Sequence, residues 1–264
     1  MSASRAPKAI NGMLSCSSID DRPPVMLQGE WEYYDHTFLY PSDFSYNAGA
    51  VDGRLPDYVN VPGKLPNAYG FGTYRLTFSC ITKSQLFAIK TTDILSSARI
   101  YVDGQEIGCI GDPSTIKKVS IQRTSSQYIV FTMDTLRTTH DIIILVSNYD
   151  YYKHGITNPL YFGTQISVYD LSNSARLADA IVIVSVCLLS ILIFLLLILR
   201  IKMGNIRYLL AFTVVLVLHL GLGGEKLLLG FFETINFAAY TRIFLCTYPL
   251  MGLFMLLFLR EPSG

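Results

Sequence analysis

The residues with the most capacity for recognition chemistry fall in two short stretches, Tyr69-Gly70-Phe71 and Asn148 to His154. Aromatic faces at Tyr69, Phe71, Tyr151 and Tyr152, with the amide of Asn148 and the imidazole of His154, would line a groove for a carbohydrate or another small polar ligand. Ring faces supply apolar contact, and a few polar groups fix orientation. The plainer reading of these residues is a tyrosine-rich loop covering a sheet edge. Arg75 follows in TYRLTF. Neighbours on a strand face opposite sides, so Tyr74 and Arg75 cannot both be core residues. Arg75 is expected to pair with a carboxylate as a structural fork, the alternative being a guanidinium that faces a ligand. Trp31, in WEYYDHTF, reads as a core anchor in preference to an exposed stacking platform.

Bond-making chemistry is poorly supported. Asp20-Asp21 and Glu30/Glu32 offer carboxylates but no frame for acid–base work. There is no Gly-x-Ser-x-Gly, P-loop, HExxH or histidine-kinase phosphoacceptor segment. Cys16, Cys80, Cys109, Cys187 and Cys246 form no CxxC pair and no His/Cys ligand spacing, so neither a zinc site nor a redox motif is indicated and no cofactor is expected. A Cys80–Cys109 bridge is open if the front half lies in an oxidising space. The net charge of +1 provides no field for nucleic acid, and the front half lacks a basic cluster interleaved with aromatics. The chain reads as a binding protein, not an enzyme.

The elements that must carry these residues divide near Arg176. The front half holds most of the Asp, Gly, Pro and Tyr, whereas residues 177–260 are dominated by Leu, Ile, Val and Phe. Tyr58–Val61, Thr73–Phe78, Leu86–Lys90, Arg99–Val102, Ser120–Gln122, Tyr128–Thr132, Ile142–Ser147 and Gln165–Tyr169 have strand length and alternation between turn signals. YVDGQEIG signals a hairpin, because Asp-Gly supplies the positive φ angles of a type I′ turn. Many short strands without a convincing amphipathic helix predict an all-β sandwich or barrel over residues 25–172, preceded by a leader or disordered segment at 1–24.

Ala180 to Leu199 is uncharged, and sixteen of its twenty residues are Ile, Leu, Val or Phe, enough to span a bilayer. Tyr208–Gly224 and Ile243–Leu259 are further uncharged runs of seventeen. Three transmembrane helices are expected at about 178–200, 207–224 and 240–260. Arg200, Lys202 and Arg207 between the first two helices, and Arg260 after the third, put those ends in the cytoplasm and the β half outside the cell membrane. No N-terminal apolar core marks an export signal. Glu225, Lys226 and Arg242 read as interfacial residues, His219 as a packing residue whose alternative is a relay, and Pro249 as a tolerated kink.

Four segments together carry a resemblance. These are GEWEYYDHTFLYPSDF (29–44), YVNVPGKLPNAYGFGTYRLTF (58–78), ARIYVDGQEIG (98–108) and DIIILVSNYDYYKHGITNPLYFG (141–163). Their order, just before a membrane block, resembles the extracellular domain of the bacterial seven-transmembrane receptors with diverse intracellular signalling modules. The resemblance implies a jelly-roll, galactose-binding-like sandwich, similar to the accessory domain of family 2 glycosidases, followed by the start of a seven-helix bundle. It further implies an extracellular small-molecule or carbohydrate ligand, a lipid bilayer and a second copy of the chain as partners. The output would be a histidine kinase or diguanylate cyclase beyond these residues. A membrane-anchored carbohydrate-binding or adhesion protein is the alternative. His154-Gly155 stands where the family pattern often has Gly-Gly, which puts an inherited close backbone approach in question.

Overall fold

The computed structural model describes residues 7–16, 19–20, 23–44, 55–65, 67, 69–80, 82, 84–92, 94, 97–151, 155–199, 205–231 and 235–260. The chain separates into two compact units, Met1–Ser172 and Asn173–Gly264.

The first unit is a two-sheet β-sandwich. In chain order its strands are β1 (Met13–Ser15), β2 (Val25–Leu27), β3 (Gly29–Asp35), β4 (Asp57–Val61), β5 (Gly70–Ser79), β6 (Leu86–Thr91), β7 (Ser97–Val102), β8 (Gln105–Ile110), β9 (Gln127–Thr132), β10 (Thr139–Asn148) and β11 (Leu160–Thr164). One sheet runs β4-β3-β5-β10-β7-β8, with β1 added to β5, and the other runs β2-β11-β6-β9. Period-two patterning decides which face each side chain takes. Tyr74, Leu76 and Phe78 of β5, Ile142, Ile144 and Val146 of β10, and Trp31 and Tyr33 of β3 face inward. They meet Phe87, Ile89, Leu160 and Phe162 of the second sheet in one core. Phe78 and Phe162 join the sheets edge to face at 4.9 Å, an arrangement worth about 0.5–1.5 kcal/mol beyond its buried area. The Asp103-Gly104 turn joins β7 to β8 with positive φ at both residues, as its sequence demands.

The outer face of the larger sheet is partly roofed. Residues 36–44, ending in the short helix α1 (Pro41–Phe44), bring Phe38 and Phe44 onto Tyr101, Ile143 and Leu145. Thr73 Oγ1 pins this roof by accepting from Leu39 N–H at 2.9 Å and donating to the Thr37 carbonyl at 2.8 Å.

Three expectations need correction. The first concerns the segment ahead of residue 25, which is not a leader or disordered over its described part. Ala9, Leu14, Cys16 and Ile19 are core residues, and β1 runs parallel to β5. Because β3 pairs only with Gly72–Arg75 of β5, β1 fills the remaining edge at Thr77–Ser79. Covering an edge in this way satisfies backbone groups that would otherwise template aggregation. Next, Gln165–Tyr169 is the start of helix α2 (Gln165–Ile198), and the last strand is β11 just before it. Thr164 decides the switch. Its hydroxyl accepts from Ser167 N–H at 3.4 Å, as an N-cap residue does, and the helix then runs unbroken to Ile198. Lastly, Ser120–Gln122 contributes only one bridge, Ile121 to Asp112, within a loop.

The second unit contains the rest of α2, then α3 (Ile206–Leu222), a 3-10 turn (Leu227–Phe231) and α4 (Phe237–Leu259). Two helices, α2 and α4, are long and apolar enough to cross a membrane, and α3 is shorter at 17 residues. Their apolar side chains lie mostly exposed, Leu188 and Leu256 among them, unlike those of a helix buried in a soluble core. Pro249 lies inside α4 without ending it. Asn236 caps α4 by accepting from Ala239 N–H at 2.7 Å.

Candidate functional site

Antiparallel pairing sets the first boundary of the site. Gly70 lies opposite Asn148 and Phe71 opposite Ser147, so the two stretches singled out by residue type emerge side by side at one end of β5 and β10. Tyr69 is exposed at the entry to β5. Phe71, on the outer face, meets the ring of His36 edge-on at 5.6 Å and that of Phe38 at 5.2 Å. Asn148 is buried, and its amide closes the following turn. Nδ2 donates to the Tyr151 carbonyl at 2.8 Å, while Oδ1 accepts from Tyr151 N–H at 3.1 Å. The amide thus holds the loop, and Tyr69, Phe71 and Tyr151 are the candidate residues at this end whose rings are not fully buried. Tyr152 and His154 lie outside the described residues.

Arg75 belongs elsewhere. It shares the outer face with Phe71 but stands four residues along β5, about 13 Å away. Its guanidinium donates to Asp141 at 3.2 and 3.3 Å, approaches Glu32 at 3.5 Å and lies over the Phe44 ring at 4.6 Å. Thr77 Oγ1 donates to Asp141 at 2.6 Å and the Tyr34 hydroxyl to Glu32 at 3.2 Å, which completes a polar cluster under the roof. Burial pushes the Glu32 carboxyl above its ordinary range, and the Arg75 charge pulls it back in part.

Two neighbours of the aromatic end carried little sequence signal. His36, the first residue past β3, has a positive φ and donates its N–H to the Phe71 carbonyl at 3.0 Å. Its Nδ1 lies 2.9 Å from Asp35. On the loop after β8, Lys117 pairs with Asp150 at 3.2 Å and donates to the Tyr149 carbonyl at the same distance. The Tyr149 hydroxyl reaches the Ser114 carbonyl at 3.0 Å. The sequence signals for these positions were a polar exit from WEYYD and the charged residues flanking the turns. The arrangement suits noncovalent binding of a polar ring, with stacking faces at Tyr69 and Phe71 and charged pairs at Asp35-His36 and Lys117-Asp150.

Gly155 explains how the loop returns to the sheet. With φ of +103°, a side chain there would place its Cβ 2.7 Å from the Tyr74 hydroxyl and 3.3 Å from the Gly63 carbonyl oxygen. The close backbone approach therefore falls on Gly155. Tyr74 is buried, its hydroxyl held by a backbone hydrogen bond with Ile156, and burial pushes its phenol up.

A second polar group lies deeper. His140, fully buried, has Nδ1 at 2.6 Å from Asp103 and Nε2 at 3.2 Å from the Arg137 carbonyl, while Asp141 N–H donates to the other Asp103 oxygen at 3.0 Å. This ties the β7–β8 turn to the start of β10. In the second unit His219 stacks on Phe244 at 4.9 Å, and its Nδ1 lies 2.8 Å from Thr247 Oγ1. Among the described residues no group of three His, Cys, Asp or Glu side chains is placed to hold a metal ion.

Cys80 and Cys109 are not neighbours. Cys80 lies in the core just past β5, and Cys109 is exposed on β8, about 14 Å across three strand spacings and, being level with Thr73, about another 23 Å along the strands. A bridge needs Cα atoms within about 7 Å, so this pairing is excluded.

No family description and no curated protein matches the chain. Among solved structures it is similar to a GH2 beta-galacturonidase from Eisenbergiella tayi bound to galacturonate. The identity is 10% and the TM-score 0.36, over 53% of this chain and 24% of that one. It is also similar to the beta-glucuronidase of Ruminococcus gnavus, with 11% identity and a TM-score of 0.36 over 55% of this chain and 29% of that one. The chain thus spans less than a third of the length of either enzyme.

Proposed function

We propose that this chain is the input portion of a bacterial membrane signalling receptor. In this reading the sandwich is a jelly roll on the outer side of the cell membrane, and its aromatic end binds a carbohydrate or another small polar ligand. The helices cross the bilayer several times, with Arg207 and Arg260 on the cytoplasmic side. The observation that carries the reading is helix α2. Its first residues belong to the sandwich unit, where Val168 and Ser172 are buried and the Tyr128 hydroxyl donates to the Gln165 carbonyl at 3.0 Å. The same 34-residue helix, about 51 Å long, then supplies an apolar span. A change of packing at its first turns is therefore a change at the start of a membrane helix, which gives ligand occupancy a route to an output beyond these residues.

The test uses the full chain in lipid nanodiscs. Sugars and small carboxylates are screened by thermal shift, and a fluorine probe on Cys246 of α4 reports on the helices, with Cys109 replaced by Ser. A compound that raises the melting temperature, loses its effect in Phe71→Ala and moves the Cys246 resonance supports the receptor. Binding that leaves the resonance unmoved would make the chain a membrane-anchored carbohydrate-binding or adhesion protein. Labelling of Cys109 in intact cells by a membrane-impermeant maleimide checks the outside placement.

A further inference from the structure

We infer that Cys16 and Cys80 are a disulfide site that ties the N-terminal strand to the centre of the sandwich. The parallel register Met13 with Thr77, Leu14 with Phe78 and Ser15 with Ser79 continues by one step to Cys16 with Cys80. The backbone makes that step, since Cys16 N–H donates to the Ser79 carbonyl at 2.9 Å, as a residue paired with position 80 must in a parallel ladder. Adjacent strands hold paired Cα atoms about 4.8 Å apart, inside the roughly 4.4–6.8 Å range of disulfides. Both side chains point the same way. Leu14 and Cys16 on one strand, and Phe78 and Cys80 on the other, share the core face, and both cysteines belong to the same buried cluster. Sequence distance hides the pair, since the two lie 64 positions apart with no motif between them.

The chemistry is exchange with a disulfide donor such as oxidised glutathione or an oxidoreductase disulfide. One thiolate attacks a donor sulfur, forming a mixed disulfide and releasing a donor thiolate. The second cysteine sulfur then displaces the other donor half. One S–S bond breaks and one forms, two electrons pass from the cysteine pair to the donor, and the two thiol protons end on the released thiols. The bridge closes a long loop and so restricts the unfolded chain most. It also anchors β1, the shortest contributor to the β5 edge. Formation in the cell rests on the outside placement proposed above, whereas formation in the test tube does not.

The full chain is incubated with glutathione disulfide at mildly alkaline pH, with and without sub-denaturing urea to open β1 transiently, then alkylated and mapped by mass spectrometry. A Cys16–Cys80 linked peptide, two hydrogens lighter than the reduced pair, is expected. So is a melting temperature higher than that of Cys16→Ser by on the order of 10 °C. Cys109→Ser is to leave the link unchanged. Glutathione adducts alone, a different pairing or two free thiols under both conditions would overturn the site. Trapping the thiol state in intact cells separates the two claims. A linked pair in cells supports both, and a pair reduced in cells but linked in the tube overturns the outside placement while the site stands.

Discussion

Replacing Arg75 with Met keeps the stem and removes the charge that two carboxylates share. The guanidinium is 18% exposed and Glu32 17%, with Asp141 at 37%, so the cluster lies between a surface pair and a buried one. Exposed pairs are worth about 0.2–1 kcal/mol, and breaking a buried pair costs about 3–5. The Phe44 contact adds about 0.5–1 kcal/mol. A loss of roughly 2–3 kcal/mol near neutral pH is expected. Its pH dependence is the sharper signature. The Glu32 carboxyl already sits above its ordinary range because of burial, and Arg75 is the largest influence holding it down. Without Arg75 it rises further. A carboxyl whose folded value is raised contributes stability that is present below its unfolded value and lost as pH rises through the folded one. Arg75→Met should therefore be most damaging at neutral pH and recover part of its loss toward about pH 5. Trp31, the chain's single tryptophan and fully buried in the sandwich, reports urea unfolding of this unit. A loss below about 0.5 kcal/mol, or one equal at both pH values, would refute the cluster as described. Pairing Arg75→Met with Glu32→Gln should cost less than the two separate losses combined, because the second change removes the carboxylate stranded by the first.

Gly155→Ala is expected to cost on the order of 2–3 kcal/mol, since it combines a positive φ with a Cβ 2.7 Å from the Tyr74 hydroxyl, and thermal unfolding would show it. Gly104→Ala in the β7–β8 turn, where a Cβ meets nothing nearer than 3.9 Å, should cost less, so equal losses would refute the packing part of the account. In the second unit, Thr247→Val removes the His219 partner and should weaken the α3–α4 pair by about 0.6 kcal/mol, read by detergent-induced unfolding. Burial pushes the Cys80 thiol up to about 11, so in the reduced protein its alkylation should rise about tenfold per pH unit between neutral pH and 10. A rate that levels off near pH 8 would contradict that burial.

Strands were readable where alternation was long enough to choose a face. Tyr74 against Arg75 is the clear case, since a strand that must bury one neighbour exposes the other, and the tyrosine took the core. Strand-length alternation misled at Gln165–Tyr169, where Ile166 and Val168 mimic a half-buried strand. What separates helix from strand there is Thr164 as a cap and twenty-nine further helical residues, features that lie outside a five-residue window. The opposite failure came at β1. Three residues cannot declare a period, and their pairing with β5 is parallel and non-local, so only the folded chain reveals it.

The candidate site was legible in its residue types but not in its membership. Tyr69, Phe71 and Asn148 stood out because aromatic and amide side chains at turns are the natural recognition groups of a β scaffold, and register then put them side by side. Arg75 entered the site only as the alternative to a carboxylate fork, and the structure gives it the fork, with Asp141 and Glu32, at a different height on the strand. Register, not composition, sorted them, because each residue along β5 moves a side chain by about 3.3 Å and flips its face. His36 was missed for the converse reason. It reaches Phe71 by a turn with positive φ and through the Phe71 carbonyl, neither of which its residue type announces. Membership also decides which substitution probes the site. The Asn148 amide is committed to Tyr151, so Asn148→Ala would loosen the loop and lower affinity without ever touching a ligand. Phe71→Ala removes a ring that packs at the surface against His36 and Phe38, and a loss of affinity there would test the proposed aromatic binding surface.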